Sequence, residues 1–389
     1  MLHRTHRWLL VLSAALAPSS AMAAELRVGP NEPIQRIADA ARLAQDGDTV
    51  SIQPGTYHGD VALWTQNRLT IRGLGAGAVL EAAGQSIEGK AIWLIRGGDI
   101  QIDNITFRGA RVPHLNGAGI RFERGHLSIT NSRFIDNENG ILTSNDPSAR
   151  LHIENCQFGD APRHPGALHH LLYVGQIDQF TLRGSRLQGG YNAHLVKTRA
   201  RSNHIEYNWI VDGPDGEASY ELEFPEGGIA TVIGNTIGQS ANTSNTTLIS
   251  YGAEGYRSDA NRLALSHNTL VNERAAGGIF LRVWPSQTAA TPAIMARNNL
   301  LIGLGAFALG NPGEFIDNPS TIPPAASSEH AIDVRLAPDT LLRGHISAAP
   351  TWRDIPLQPT HEFRHPAGTV ALEPPQRWAP GAWQTPRPR

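Results

Sequence analysis

Ile129-Thr-Asn-Ser-Arg-Phe134 and Ile153-Glu-Asn-Cys-Gln-Phe158 are two copies of one six-residue pattern, with an apolar residue at each end and a small polar residue fourth. The pattern recurs at Ile102-Asp-Asn-Ile-Thr-Phe107, Leu182-Arg-Gly-Ser-Arg-Leu187, Ile205-Glu-Tyr-Asn-Trp-Ile210, Val232-Ile-Gly-Asn-Thr-Ile237, Leu265-Ser-His-Asn-Thr-Leu270 and Met295-Ala-Arg-Asn-Asn-Leu300. In chain order, the steps between first positions are 27, 24, 29, 23, 27, 33 and 30 residues. Such a period marks a solenoid. Each repeat is too short for a four-stranded blade, and no helical period runs through it. Short β-branched runs broken by Gly and Asn fit an all-β parallel β-helix whose coils stack at roughly 4.7–4.9 Å. The fourth position, Ser132, Cys156, Ser185, Asn208, Asn235, Asn268 and Asn298, is expected to form an inward ladder at a corner, Asn accommodating a left-handed bend. Cys156 then reads as structural, and as the only cysteine it can form no internal disulfide.

On either side of the repeats the chain changes character. Residues 1–23 carry Arg4 and Arg7, an apolar run from Trp8 to Ala17 and an Ala21-Met22-Ala23 cleavage pattern, which reads as a secretory signal peptide. The run is too short to span a membrane, no lipid anchor follows it, and the expected location is periplasmic or extracellular. Net charge is −2, falling to −4 without the leader, so nucleic acid is not an expected partner. The β-helix is assigned to 24–302. Residues 303–389 are dense in Pro with little periodicity and read as an irregular closing segment lying along the coils. A monomer is expected.

The informative face lies just upstream of successive repeats, at residues 193–199, 219–224, 247–252 and 278–283, which are expected to stack as one sheet. Alternation predicts Tyr220, Leu222 and Phe224 inside with Ser219, Glu221 and Glu223 outside, and Leu195, Lys197 and Arg199 outside one coil earlier. Tyr251, with Glu254 nearby, and Phe280, Arg282 and Trp284 follow on the same outer face. Lys197 is one of two lysines in a chain with 31 arginines, which marks a position where a compact, titratable amine is used. The His-rich corner Arg163-His-Pro-Gly-Ala-Leu-His-His170 lacks a metal-binding pattern; His170 or Tyr173 is an outside candidate for a proton donor.

Ile34-Gln-Arg-Ile-Ala-Asp-Ala-Ala-Arg-Leu-Ala-Gln-Asp-Gly-Asp-Thr-Val-Ser-Ile-Gln-Pro-Gly-Thr-Tyr57 resembles the entry to right-handed parallel β-helix proteins of the pectin-lyase-like superfamily, where an amphipathic helix caps the core before a GDT…PGTY first coil. The ending His365-Pro-Ala-Gly…Gly381-Ala-Trp383 resembles tails that lie back along such coils. A mixed-charge groove in this fold suits an acidic polysaccharide. β-Elimination from a uronate needs the carboxylate neutralised, a base for the C5 proton and a donor for the leaving oxygen. Lys197 can serve as base, aided by the flanking cations Arg199 and Arg201; Glu221 and Glu223 can hold Ca²⁺, and Arg282 can supply charge instead. Val196-Lys-Thr-Arg-Ala-Arg-Ser-Asn-His-Ile-Glu-Tyr-Asn208 is similar to the lysine-bearing coil of alginate lyases and chondroitinase-B-like lyases, which implies the base role for Lys197. Where that family carries Arg in the next coil, this chain has Glu223. Two alternatives stay open: a glycoside hydrolase using Glu221 or Glu223 with Glu254, and a non-catalytic polysaccharide-binding β-helix in which the charges are cross-coil ion pairs.

Overall fold

The computed structural model describes residues 23–286, 291–310, 313–322 and 333–387. The expected signal peptide lies, apart from Ala23, outside the described residues. The chain winds into a right-handed parallel β-helix with three faces. In a representative coil, Val196–Thr198 lies on the first face, Ser202–Glu206 on the second and Trp209–Val211 on the third; the next coil repeats the order with Leu222–Phe224, Ile229–Ile233 and Thr236–Gln239. The pairings between these two coils are all parallel and in register. The third face has eleven strands. The first two merge into one 20-stranded sheet, because Ala91–Asp103 and Ala118–Thr130 run continuously around the corner between them. Gly98 permits that corner, since a Cβ there would meet the Gln66 carbonyl oxygen at 2.1 Å.

Stacking places like on like inside the coils. Phe107, Phe134 and Phe158 stack at 4.9 and 4.7 Å between ring centroids, which is the coil spacing itself. The polar ladder is present with one change of register. Backbone N–H groups donate upward from Ser132 to Cys156 Sγ, Cys156 to Ser185 Oγ, Ser185 to Asn208 Oδ1, Asn208 to Asn235 Oδ1, Asn235 to Asn268 Oδ1 and Asn268 to Asn299 Oδ1. The member in that repeat is therefore Asn299 and not Asn298, because Ala296 pairs with Leu265 and shifts the repeat by one residue, and the Asn299 N–H carries the ladder on to Asn318 Oδ1. The left-handed bend falls one residue before each ladder member, at Asn131, Asn155, Tyr207, His267 and Asn298, while the ladder residue satisfies the backbone behind it. Burial drives the Cys156 thiol up to about 12, in keeping with a structural role.

Ile37–Leu43 is the helix near the N-terminus, and its Ile37, Ala40 and Ala41 are buried in the core. At the other end the solenoid continues beyond 302: Gly305–Leu309, Glu314–Ile316 and Ser320–Thr321 pair with the coil below. The Gly-rich composition of that stretch hides a further coil. The described C-terminal residues lie on the second and third faces. Val334 and Phe363 cover Trp209, Val271 and Leu300, and Ala349, Trp352 and Leu357 cover Ala264 and Met295. The first face keeps its outer surface.

Candidate functional site

Register on the first face creates one outward column. It runs Leu94, Arg121, Leu142, Tyr173, Lys197, Glu223, Ser250, Arg282 and Leu309, each paired with the next. Apolar residues occupy the outer positions and polar ones the centre. Between the first and second faces the corner opens into longer connections, residues 199–201, 225–228 and 252–261, which bring a second set of charges alongside.

Lys197 and Arg199 form the centre, each with its side chain 12% exposed. Lys197 Nζ lies 3.0 Å from Glu254 Oε1 and 3.1 Å from Glu223 Oε2; the second contact is an ion pair without hydrogen-bond alignment. Arg199 donates to both oxygens of Glu254, to Tyr173 Oη at 2.6 Å, and pairs with Glu226 at 3.3 Å. The neighbours of Lys197 thus include two carboxylates as well as Arg199. Arg201, expected beside it as a cation, turns outward to Asp178. Burial pushes the Glu223 carboxyl up, and Lys197 opposes it only in part. For Glu254 the effect of burial is outweighed by hydrogen bonds from Arg199 and Lys197, which hold it below the usual carboxylate range.

A pair of histidines adjoins this cluster. His170 Nδ1 and His194 Nδ1 are 3.1 Å apart, and the His194 backbone N–H also points at His170 Nδ1, so His170 accepts and His194 donates. Burial, reinforced by nearby cations, lowers His170 to about 3 and His194 well below its ordinary value. The rings of His170, His194 and Tyr220 line up with centroids 4.8 and 5.1 Å apart. His194 Nε2 then lies 3.6 Å from Glu223 Oε2. Among these, His194 and Glu226 were missed in the sequence. His194 follows His170 by 24 residues, one coil, and that recurrence was the available signal.

Four outward expectations fail. Tyr251 is buried, its hydroxyl donating to the Gly228 carbonyl at 2.6 Å, because it pairs with inward Phe224. Glu221 is fully buried and Leu195 likewise, because the strands begin only at Leu222 and Val196 and alternation does not hold in the preceding corner. Phe280 is also inside. Arg282 is on the groove, its guanidinium 3.7 Å from the Trp284 ring centroid. Among the described residues neither Glu221 oxygen has a hydrogen-bond partner, and its electrostatic neighbour is Asp212, whereas Glu223 faces Lys197. Glu221 and Glu223 therefore do not fit a shared Ca²⁺ ion, since one faces no solvent and the other is spent on an ammonium. Among the described residues no group of three or more His, Cys, Asp or Glu converges as a metal site.

Burial raises the Glu221 carboxyl well above its ordinary value and takes Asp212 to about 6. A carboxyl raised in the folded state costs nothing below its unfolded value, and the cost then grows by about 1.4 kcal/mol per pH unit until the folded value is reached. Glu221→Gln removes that cost. Urea unfolding should show the variant more stable than the parent near pH 7, with the gain shrinking toward pH 4; a difference that does not shrink as pH falls would contradict the burial of a neutral acid.

No protein-family model matches the chain, and no curated protein does. Among solved structures it is similar to the pectate lyase Pel9A, with a TM-score of 0.56 and 14% identity over 93% of this chain and 96% of that one. It is also similar to a pectin methylesterase D178A mutant in complex with a hexasaccharide, with a TM-score of 0.33 and 11% identity over 74% and 81%. The chain shares the right-handed parallel β-helix fold with that pectate lyase. Among the described residues no helix is long and apolar enough to cross a membrane.

Proposed function

We propose that this is an exported enzyme that cleaves an acidic, uronate-containing polysaccharide by β-elimination, with Lys197 as base. The observation that carries the reading is the Lys197–Arg199 pair at the centre of the first face, with Tyr173 Oη 2.6 Å from the guanidinium. Arg121 and Arg282 stand three coils to either side of Lys197 in the same column, roughly 14 Å away. Neither has an ion-pair partner among the described residues. A row of cations of this length suits a polyanionic chain, and the fold is shared with a pectate lyase.

In the proposed step the substrate carboxylate lies on Arg199, which stabilises the charge that develops when C5 loses its proton. Lys197 takes that proton, the electron pair forms the C4–C5 double bond, the C4–O4 bond breaks and Tyr173 protonates the departing oxygen. Incubation with alginate, chondroitin, pectate, hyaluronan and glucuronan, with and without EDTA, tests it through the absorbance of the unsaturated product. A second reading rests on the carboxylates: Glu223 and Glu254 both touch Lys197 Nζ, so their oxygens lie within about 6 Å, a spacing near that of a retaining glycosidase. New reducing ends without absorbance would favour it, and neither signal would favour a binding protein. Arg282→Ala is expected to raise KM roughly 5- to 10-fold for long chains and leave a trimer unchanged, since Arg282 is too far from the centre for a short ligand to reach; an equal effect on both lengths would contradict an outlying subsite.

A further inference from the structure

Glu254 differs from the other carboxylates of the groove. Its side chain is 40% exposed, against 4% for Glu223 and 8% for Glu226, yet it takes the best hydrogen bonds of the three. Arg199 grips it through Nε at 3.1 Å and Nη2 at 2.7 and 2.8 Å, and Lys197 Nζ adds a contact at 3.0 Å. Both cations are nearly buried, so Glu254 covers their solvent side. Its backbone is fixed by N–H donation to the Pro225 carbonyl at 2.7 Å, and Gly255 beside it faces open space.

We propose that Glu254 occupies the seat of a substrate carboxylate, and that a uronate carboxylate displaces it from Arg199 and Lys197 on binding. The exchange replaces one bidentate carboxylate–guanidinium pair by another of the same chemistry. It rests on the lyase reading for its catalytic consequence. With a sugar carboxylate in the seat, Lys197 Nζ is about a hydrogen-bond length from its oxygen and hence within reach of the C5 proton on the adjoining carbon. A neutral or methyl-esterified sugar cannot make the exchange, so the contact selects acidic substrates before chemistry begins.

Calorimetric titration of the full chain with trigalacturonate, trimannuronate and trimethyl-esterified trigalacturonate tests the seat. Glu254→Ala and Glu254→Gln are expected to bind at least one acidic trimer about tenfold more tightly than the parent, with affinity for the ester unchanged. The proposal is overturned if neither variant gains affinity, if both lose it, if the ester gains equally, or if no acid binds any form. Thermal melting of both variants checks folding, and the Gln variant keeps the shape of the side chain. Tighter acid binding without unsaturated product from any polymer would sustain the seat and sink the lyase reading. Lyase activity in the parent without tighter binding in the variants would do the reverse.

Discussion

Lys197→Ala should abolish release of the unsaturated uronate product, lowering kcat/KM by about 10²–10⁴-fold, the usual worth of a positioned general base. The amine is placed for this by register alone: Val196 and Thr198 turn inward, so Lys197 is the outward residue of a three-residue strand. Loss of activity in the Ala variant is ambiguous, because it also orphans the nearly buried Glu223 carboxyl. Lys197→Arg resolves this. A guanidinium retains the charge and can still pair with Glu223 and Glu254, but it does not deprotonate near neutral pH. The Arg variant should melt close to the parent and be as inactive as the Ala variant. Retention of more than a tenth of parental activity by Lys197→Arg would rule out Lys197 as the base.

Asn235→Ala carries the largest expected loss of stability, about 3–5 kcal/mol. Asn235 Oδ1 accepts from both the backbone N–H and the side-chain amide of Asn208, at 2.9 Å each. Its own amide donates to the Ile205 carbonyl at 2.8 Å and to Asn268 Oδ1 at 3.0 Å. All of these are buried. Removing the side chain leaves the Asn208 backbone N–H and one hydrogen of its side-chain amide without an acceptor in the core, each costing about 1–3 kcal/mol, with incomplete additivity. Denaturant midpoints measure it, and a loss below 1 kcal/mol would mean that the ladder is decorative.

Much of the fold was legible because stacking repeats its own chemistry. Small polar residues recur where backbone groups need partners, and aromatic residues recur beneath one another, so the period survives large changes in loop length. The site was legible only in part. Lys197 and Glu223 lie within strands, where alternation decides direction, and both face the groove. Glu221, Leu195 and Tyr251 mark the limits of that rule: two precede their strands, and the third needed the register with Phe224, which spacing alone did not supply. Asn298 and Asn299 are adjacent and identical, so nothing local told them apart. Glu254 and Glu226 reach the centre from connecting loops whose paths depend on contacts with other coils, and no periodic pattern reports those.

The returning C-terminal segment gives the molecule a different mechanical character from a plain stack. Gly368 N–H donates to the Gly184 carbonyl, Thr360 N–H to Tyr207 Oη, Trp383 Nε1 to Thr236 Oγ1, and Gly381 N–H to the Asn298 carbonyl. One short length of chain thus fastens coils that are far apart in the winding. A stack held only by neighbours can shed its terminal coil without disturbing the rest. Here peeling from that end must also release the strap from coils near the middle, so the end cannot fray independently and the groove is held by a closed loop of contacts.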